Sequence, residues 1–401
     1  MKNKNTIIRS SNLSIKFANF GKLDILHSFI DEYKKVVQFF IDKLWNTKKI
    51  PRLIPKEITS SVDTWISKRA VQAAAKQASG IVRGTIKKHK QRIYILKKLQ
   101  RKGQNTKKLQ KKIAKTVLTR PEPDIVNPQL DSRFFTFLNV RNSFDMWIKL
   151  SCLGNKTTLY IPILKTKHFN KLVDSGFSLK KSIRLSKNHV SFSLEREKTK
   201  IRETGDRIGL DIGINNVFVT SEEQFSSPCP HGHTLTTIQR KLARRKKDSK
   251  GFKKAQDHRN NYVNWSINQL NLTNVRELRM EEFKDLRRHK RCNRFMTHWT
   301  YTTLRDKLER ICEEQGVLVT KVNPAYTSQR CYQCGWTCKR NRKGKAFTCT
   351  RCGYTSDSDL NAAKNISLPL PDIWQHHQSL NSRTGFYWLE RTGQECLVSG
   401  V

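Results

Sequence analysis

The chain has 401 residues, and its 78 Lys and Arg residues outnumber its 33 Asp and Glu residues, which gives a formal net charge of +45. Because so much positive charge repels itself, we expect a polyanionic partner, and nucleic acid is the polyanion whose counterions Lys and Arg displace. A histone-like binder without chemistry of its own stays open at this point. The sequence has no apolar run of bilayer-spanning length and no apolar stretch behind its first charged residues, so we expect neither a membrane anchor nor a signal peptide.

The first elements are a strand and an amphipathic helix. Residues 6–17 alternate between apolar and polar side chains and include β-branched residues, which predicts a strand. Residues 23–45 carry apolar side chains at helical spacing, which predicts a helix with one buried face. The residues expected on that face are Leu26, Phe29, Ile30, Tyr33, Val36, Val37, Phe40 and Ile41.

A stretch without acidic residues follows, from residue 64 to residue 121. Its apolar positions fit paired helices with a break near Gly103, and Lys and Arg are dense from Arg83 onward. A helix that only faces solvent normally mixes Glu with Lys, so this composition favours a surface for RNA or DNA phosphates over a solvated hairpin. The candidate phosphate contacts are Arg83, Lys87, Lys107, Lys108, Lys111 and Lys112.

The rest of the chain changes from short strands to alternating strands and helices. Four alternating segments predict antiparallel strands, which the opening strand could join: 134–138, 144–150, 158–164 and 190–194. Then follow a hairpin at 207–220, a basic helix at 236–270, a strand at 275–280, a helix at 298–315, a strand at 317–322 and a helix at 359–366. The basic helix supplies four more candidate phosphate contacts, Arg244, Arg245, Lys246 and Lys247. The tail to residue 401 predicts no element.

Three acidic residues stand far apart in the sequence, each beside apolar residues. Asp211 lies inside the apolar segment 208–213, where a charge is unfavourable unless it is paired or binds a metal ion. Glu281 follows the strand at 275–280, and Glu282 is the alternative. Asp359 opens the last helix, and we interpret its neighbour Asp357 as the acid at that helix N-terminus. Converging carboxylates can hold two Mg²⁺ ions for phosphodiester cleavage, so we predict a metal-dependent nuclease.

Four cysteines form two Cys-x-x-Cys pairs on either side of a basic turn at 339–345. They are Cys331, Cys334, Cys349 and Cys352. Four thiolates at this spacing predict a closed, structural zinc site, because thiols of a chain without an export signal stay reduced. Cys338 is an alternative ligand. We interpret residues 229–233, Cys-Pro-His-Gly-His, as a loop because they lack a second cluster of ligands.

These motifs resemble those of TnpB, the transposon-encoded RNA-guided nuclease, and of the related compact type V CRISPR effectors. The matching segments are 209–213, Gly-Leu-Asp-Ile-Gly; 280–283, Met-Glu-Glu-Phe; and the run at 323–366 that contains the four cysteines and Asp359. The third segment is the most specific. The likeness covers the second half of the chain, whereas the first half matches only in the order of its elements.

The resemblance implies an α+β multidomain architecture. A RuvC-like RNase H fold, with a mixed α/β sheet, would occupy 205–325 and 356–368, with a zinc-ribbon target-nucleic-acid-binding insert at 326–355. A wedge-like β-barrel at 1–22 and 122–204 would carry a helical recognition insert at 23–121, and a tail would occupy 369–401. The active site would comprise Asp211, Glu281 and Asp359 with two Mg²⁺ ions, and the zinc would be structural.

The resemblance also implies a function. The protein would bind a guide RNA, recognise a short motif beside a double-stranded DNA target and cleave that target in the cytoplasm of a bacterium or archaeon, in association with the nucleoid. Two alternatives are a nuclease-inactive repressor that a guide RNA directs to DNA, and a guide-independent, structure-specific nuclease. The three acids argue against the first and the large positive charge against the second. A transposon or CRISPR context, the guide sequence, and a monomer or a guide-bound homodimer stay open.

Overall fold

The computed structural model describes residues 5–47, 49–101, 103, 105–115, 118–123, 126–138, 140, 142–213, 215–282, 301–371 and 380–390. The chain is a mixed α and β protein that divides into two compact units, Met1–Glu197 and Lys198–Val401. Each unit has a large hydrophobic core of its own. Within the described ranges, no helix combines the length and the apolar character needed to cross a membrane.

Both units contain helices and strands. The helices are α1 (Phe20–Trp45), α2 (Lys56–Thr59), α3 (Lys68–Arg101), α4 (Lys107–Lys115), α5 (Lys167–Asp174), α6 (Leu235–Ala243), α7 (Lys250–Asn268), α8 (Tyr301–Gln315) and α9 (Ser358–Ser367). The strands of the first unit are β1 (Thr6–Ser14), β2 (Gln129–Asp131), β3 (Phe135–Leu138), β4 (Met146–Leu150), β5 (Leu159–Ile163), β6 (Ser178–Leu185) and β7 (His189–Glu197). Those of the second unit are β8 (Asp206–Asp211), β9 (Val219–Thr220), β10 (Val275–Glu281), β11 (Leu318–Val322), β12 (Trp336–Thr337), β13 (Arg342–Lys343), β14 (Ala346–Thr348), β15 (Thr355–Asp357) and β16 (Phe386–Tyr387).

The first unit packs two antiparallel sheets and the helices α1 and α3 around its core. One sheet has the order β1-β7-β6-β2 and the other the order β3-β4-β5. The predicted opening strand therefore does join a later strand, β7. All eight apolar residues expected on the inner face of α1 are buried, so the helical periodicity is confirmed. Helix α5 and strand β6 were not predicted; three of the eight residues of each are charged.

The acid-free stretch forms two helices of very different length. Helix α3 has 34 residues, and its buried side chains lie between Ala70 and Val82 in its first half. The predicted break near Gly103 is confirmed, because this residue adopts a φ of 66°, which glycine accepts without steric strain. The nine-residue helix α4 follows. The second half of α3 therefore extends beyond the core and carries its Lys and Arg residues towards solvent.

The second unit is built on a sheet with the order β11-β10-β8-β9. Strand β10 runs parallel to both β8 and β11. Strand β9 pairs antiparallel with β8, so the hairpin predicted at 207–220 is confirmed. The long basic helical stretch expected at 236–270 consists of two helices, since α6 ends at Ala243 and α7 begins at Lys250. Asp248, in the turn between them, has a φ of 65°, which is incompatible with a continuous right-handed helix.

Candidate active site

Two of the three predicted acids lie next to each other at the ends of parallel strands. Leu210 of β8 is paired with Met280 of β10, so the next residues, Asp211 and Glu281, lie at the same level on neighbouring strands. Parallel strands bring their carboxyl ends to one edge of a sheet, which is where α/β folds present functional side chains. The geometry therefore brings Asp211 and Glu281 together from positions 70 residues apart in the sequence.

The third acid, Asp359, reaches this edge from the first turn of α9. Asp357 caps that helix, and its Oδ1 accepts hydrogen bonds from the backbone N–H groups of Asp359 and Leu360 at 2.8 and 3.2 Å. The interpretation of Asp357 as the acid at the helix N-terminus is confirmed. Helix α9 can approach β8 closely because Gly209 has no side chain: a Cβ there would lie 2.0 Å from the carbonyl oxygen of Ala363.

The Asp211 carboxyl group has an environment that disfavours its charge. Part of its surface stays accessible, but protein atoms enclose most of it. Burial is the largest cause that raises its pKa, to about 7, and the negative charge of Asp359 adds to the effect. The positive charges of Arg342 and Lys345 act in the opposite direction. Asp211 and Asp359 are therefore close enough to interact electrostatically.

Glu281 is more deeply enclosed than Asp211, with 7% of its surface exposed. Burial and the charge of Asp211 raise the pKa of its carboxyl group to about 8. A hydrogen bond of 2.5 Å from the hydroxyl group of Thr327 to Oε1 acts against this rise and fixes the carboxylate. Glu281 thus interacts with Asp211, while the backbone N–H of the half-buried Glu282 donates to the carbonyl of Val322.

Two basic side chains that we did not assign to the site from the sequence lie beside Asp359. The Nζ of Lys345 lies 3.0 Å from Oδ2 of Asp359, and NH2 of Arg342 lies 3.4 Å from Oδ1. Both come from the basic turn between the two cysteine pairs. Their approach could not be predicted from sequence spacing, because the hairpin of β13 and β14 must first fold to bring them to α9.

The four predicted zinc ligands form one compact cluster. The sulfur atoms of Cys331, Cys334, Cys349 and Cys352 all lie within 4.8 Å of one another. The Sγ–Sγ distances are 3.7 Å for Cys331 and Cys352 and 3.6 Å for Cys334 and Cys349. Tetrahedral zinc with bonds of about 2.3 Å places its sulfur ligands about 3.8 Å apart, so the cluster could hold such an ion. Cys338 is buried but does not belong to this cluster.

The loop at 229–233 is a tight turn, as the sequence indicated. The backbone N–H of Cys229 donates to the carbonyl of His233, and the rings of His233 and His258 lie 5.0 Å apart. Among the residues that the structure describes, the four-cysteine cluster is the one group of three or more potential ligands whose donor atoms are close enough to hold a metal ion. Among these described residues, neither the two histidines nor Asp211, Glu281 and Asp359 form such a group in this structure.

The predicted phosphate contacts lie on the surface wherever their side chains are described. Exposed members are Lys87, Lys107, Lys111, Arg244, Arg245, Lys246 and Lys247. Arg83 is half-buried, and its Nε donates to the carbonyl of Ser79 at 3.3 Å. The side chains of Lys108 and Lys112 fall outside the described part of α4.

Residues 301–366 match the family model described as Cas12f1-like, TNB domain. A Cas12f1 endodeoxyribonuclease from Sulfoacidibacillus thermotolerans is 47% identical over 78 residues, which are 19% of this chain and 18% of that protein. A putative RNA-guided DNA endonuclease from Escherichia coli, InsQ, is 27% identical over 211 residues, 44% of this chain and 52% of InsQ.

Among solved structures, a chain of a Cas12f1-sgRNA-target DNA complex aligns with a TM-score of 0.44 and 16% identity, over 91% of this chain and 99% of that one. The aligned segments span about a fifth to about half of the length of the two sequence relatives. The segment that matches the family model contains the cysteine cluster and Asp359. This chain is therefore related to the TnpB proteins and to the compact type V effectors of the Cas12f1 kind, as its motifs predicted.

Proposed function

We propose that this protein is an RNA-guided DNA endonuclease that hydrolyses phosphodiester bonds by a RuvC-type, Mg²⁺-dependent mechanism. The observation that carries the proposal is the convergence of Asp211, Glu281 and Asp359, from two strands and a helix, on one edge of a sheet. Two acids buried beside each other in a chain of net charge +45 need a reason, because Asp211 and Glu281 repel each other while Lys345 and Arg342 pair with Asp359 instead. Metal-dependent chemistry on a polyanion supplies that reason.

The chemistry of the three carboxylates fits magnesium, although in this structure they form a looser group than the four cysteines. Carboxylate oxygens are hard ligands of the kind Mg²⁺ prefers, and the mutual repulsion of Asp211 with Glu281 and Asp359 is what a divalent cation would relieve. When bound, two such ions would activate a water molecule and stabilise the leaving oxygen. Thr327 holds the Glu281 carboxylate in place. Arg342 and Lys345 carry positive charge to the same site.

The domain assignment that we propose follows the sequence motifs. A RuvC-like nuclease at 205–325 and 356–368 is supported by the parallel strands β8, β10 and β11 with antiparallel β9. A zinc ribbon at 326–355 is supported by the four grouped thiols, for which zinc is the natural ion. The antiparallel sheets of the first unit support a wedge-like barrel at 1–22 and 122–204, with a helical recognition insert at 23–121.

The proposed partners are a guide RNA and double-stranded target DNA with a short flanking motif. Base pairing would read the target sequence, and the protein would contact phosphates through the exposed Lys and Arg residues of α3, of α4 and of the turn at 244–247. The Escherichia coli relative carries a name of this kind, putative RNA-guided DNA endonuclease. A monomer and a homodimer on one guide RNA are both compatible with this proposal.

A plasmid-cleavage assay tests the proposal. The protein is purified with its bound RNA, the RNA is sequenced, and a plasmid carrying the complementary target beside a randomised flank is incubated with Mg²⁺ or with chelator. We expect cutting that needs the guide, the target and Mg²⁺. Asp211→Asn should bind the target and leave it intact, whereas the matched control Glu282→Gln should cut like the wild type.

The alternatives give different results in the same assay. A nuclease-inactive repressor binds the matched target with wild-type protein and Mg²⁺ but leaves it uncut. A guide-independent nuclease cuts flaps or junctions after its RNA has been removed. Either result overturns the proposed activity.

A further inference from the structure

The C-terminal residues 380–390 add a strand to the ribbon, although the sequence predicted no element there. Strand β16 pairs antiparallel with β12, with Tyr387 opposite Trp336 and Phe386 opposite Thr337. The aromatic rings of Trp336 and Tyr387 lie 5.0 Å apart. This strand lies beyond residue 366, where the match to the family model ends. The ribbon of this chain is therefore completed by residues outside the matched segment.

Buried aromatic side chains anchor this C-terminal strand. Phe386 and Trp388 are only 2% and 3% exposed. The ring of Phe386 contacts Tyr326 edge-on at 5.3 Å, and the indole N–H of Trp388 donates to the carbonyl of Pro371 at 3.2 Å. Burial of each large aromatic ring contributes on the order of 2 kcal/mol, so this strand is packed as firmly as a core element.

Two glycines allow the backbones to approach each other. A Cβ on Gly385, which has a φ of 98°, would lie 2.2 Å from Cζ2 of Trp336. A Cβ on Gly335 would lie 2.9 Å from the carbonyl oxygen of Trp388. The contact therefore requires glycine on both sides: Gly385 just before β16, and Gly335 just after the first cysteine pair.

The buried guanidinium group of Arg330 joins the segment 380–390 to helix α9. The Nε of Arg330 donates to the carbonyl of Trp388 at 2.6 Å, and its NH1 donates to Oδ1 of Asn365 in α9 at 2.6 Å. Arg330 is only 3% exposed, so loss of the Trp388 acceptor would leave part of a buried cation without a partner. The position of the strand and the position of α9 are thus coupled through one side chain.

The same strand also holds the basic turn that reaches Asp359. The backbone N–H of Lys339, at the start of this turn, donates to the carbonyl of Ser382 at 2.8 Å. Arg342 and Lys345 follow a few residues later and contact Asp359. A continuous series of contacts therefore runs from residues 380–390 through the turn to the carboxylate.

We propose that the segment 380–390, which contains β16, clamps the ribbon to the core of the second unit so that its basic turn stays on Asp359. The consequence for cleavage rests on the proposed nuclease function, whereas the clamp itself does not. Without this segment, Lys339 in the basic turn loses its hydrogen bond to Ser382, and Arg330 loses its bond to the carbonyl of Trp388. The zinc cluster keeps all four ligands, because none of them comes from the strand.

Gly385→Ala tests the clamp, with Gly232→Ala as the matched control. Both glycines have positive φ, but a methyl group added at the control position would meet no atom within 4 Å, whereas the methyl group at Gly385 collides with Trp336. Amide hydrogen exchange of residues 336–345, zinc content, RNA affinity and single-turnover cleavage are measured for both. We expect Gly385→Ala to speed exchange in this segment at least tenfold and to slow cleavage about 10- to 100-fold, with zinc and RNA binding unchanged.

Each outcome decides a separate point. Unchanged exchange in Gly385→Ala overturns the clamp, and faster exchange with wild-type cleavage overturns its role in positioning. Faster exchange with a wild-type protein that never cuts supports the clamp and refutes the proposed nuclease. If Gly385→Ala does not fold, Trp388→Phe replaces it. This variant keeps a ring but loses the bond to Pro371, and it must speed the same exchange for the clamp to stand.

Discussion

Replacement of Glu281 by Gln should stabilise the metal-free protein, although it removes a residue that we place in the active site. Glu281 is buried beside Asp211, and its pKa is raised from 4.5 to about 8. Each pH unit of displacement corresponds to about 1.4 kcal/mol, so the charged carboxylate destabilises the fold by at most about 5 kcal/mol. Relaxation and water penetration reduce such penalties, and we expect a gain on the order of 2 to 3 kcal/mol for Glu281→Gln at pH 8.

The direction of the pH dependence of stability follows from the number of protons that the folded and unfolded states bind. Between pH 4.5 and about 8 the folded protein keeps the Glu281 proton that the unfolded chain has released. Wild-type stability therefore falls as the pH rises through this window, and the advantage of the Gln variant grows by up to about 1.4 kcal/mol per pH unit. The advantage reaches a plateau above pH 8 and disappears near pH 4.5.

Chemical denaturation in chelator at pH 5, 6, 7 and 8 measures this effect. Addition of Mg²⁺ should stabilise the wild type more than the Gln variant, because the variant keeps only two of the three charges that the ion would neutralise. Glu203→Gln, which replaces an exposed acid, is the control. Equal stability of Glu281→Gln and the wild type at pH 8, or an advantage that does not shrink towards pH 5, would show that burial does not disfavour the Glu281 charge.

Three further predictions concern packing, the ribbon and the phosphate contacts. Gly209→Ala should lower the free energy of unfolding by about 1 to 3 kcal/mol, because its methyl group collides with α9. Gly84→Ala, where the added methyl group of the helix meets no neighbour, should raise it by up to about 1 kcal/mol. Urea denaturation measures both changes, and equal stability of the two variants contradicts the close approach of α9 to Gly209. Cys331→Ser should lose the bound zinc and Cys338→Ser should keep it, and elemental analysis that finds equal zinc in both contradicts the four-cysteine cluster. Reversal of the four charges at 244–247 should lower the slope of log affinity for RNA against log salt by roughly 0.7 to 0.9 per lost contact, and an unchanged slope excludes this turn as a contact.

Local patterns predicted the elements that carry the acids. The helical spacing of α1 identified eight of its nine buried residues, and the apolar segment around Asp211 identified a strand. Both signals are local, since they depend on the 3.6-residue and two-residue periods of the backbone. Spacing also sufficed for the four cysteines, because a tetrahedral site restricts its ligand pairs to tight turns.

Contacts between distant segments could not be predicted in the same way. The approach of Arg342 and Lys345 to Asp359 depends on how a hairpin packs against α9, and no spacing in the sequence encodes it. The pairing of β16 with β12 joins two-residue strands about 50 positions apart, too short to show any periodicity. In the sequence, Gly385 and Gly335 are the residues that indicate a close approach of two backbones, but a glycine does not identify the segment that approaches it.

The proposed mechanism depends on Asp211, Glu281 and Asp359 holding divalent ions together. Anomalous X-ray scattering from crystals of the RNA-loaded protein, grown with Mn²⁺ in place of Mg²⁺, would locate those ions. We predict manganese peaks in contact with all three carboxylates in the wild type and their loss in Asp211→Asn. Manganese bound elsewhere, or a wild-type site in which one of the three carboxylates points away from the ions, would refute the mechanism.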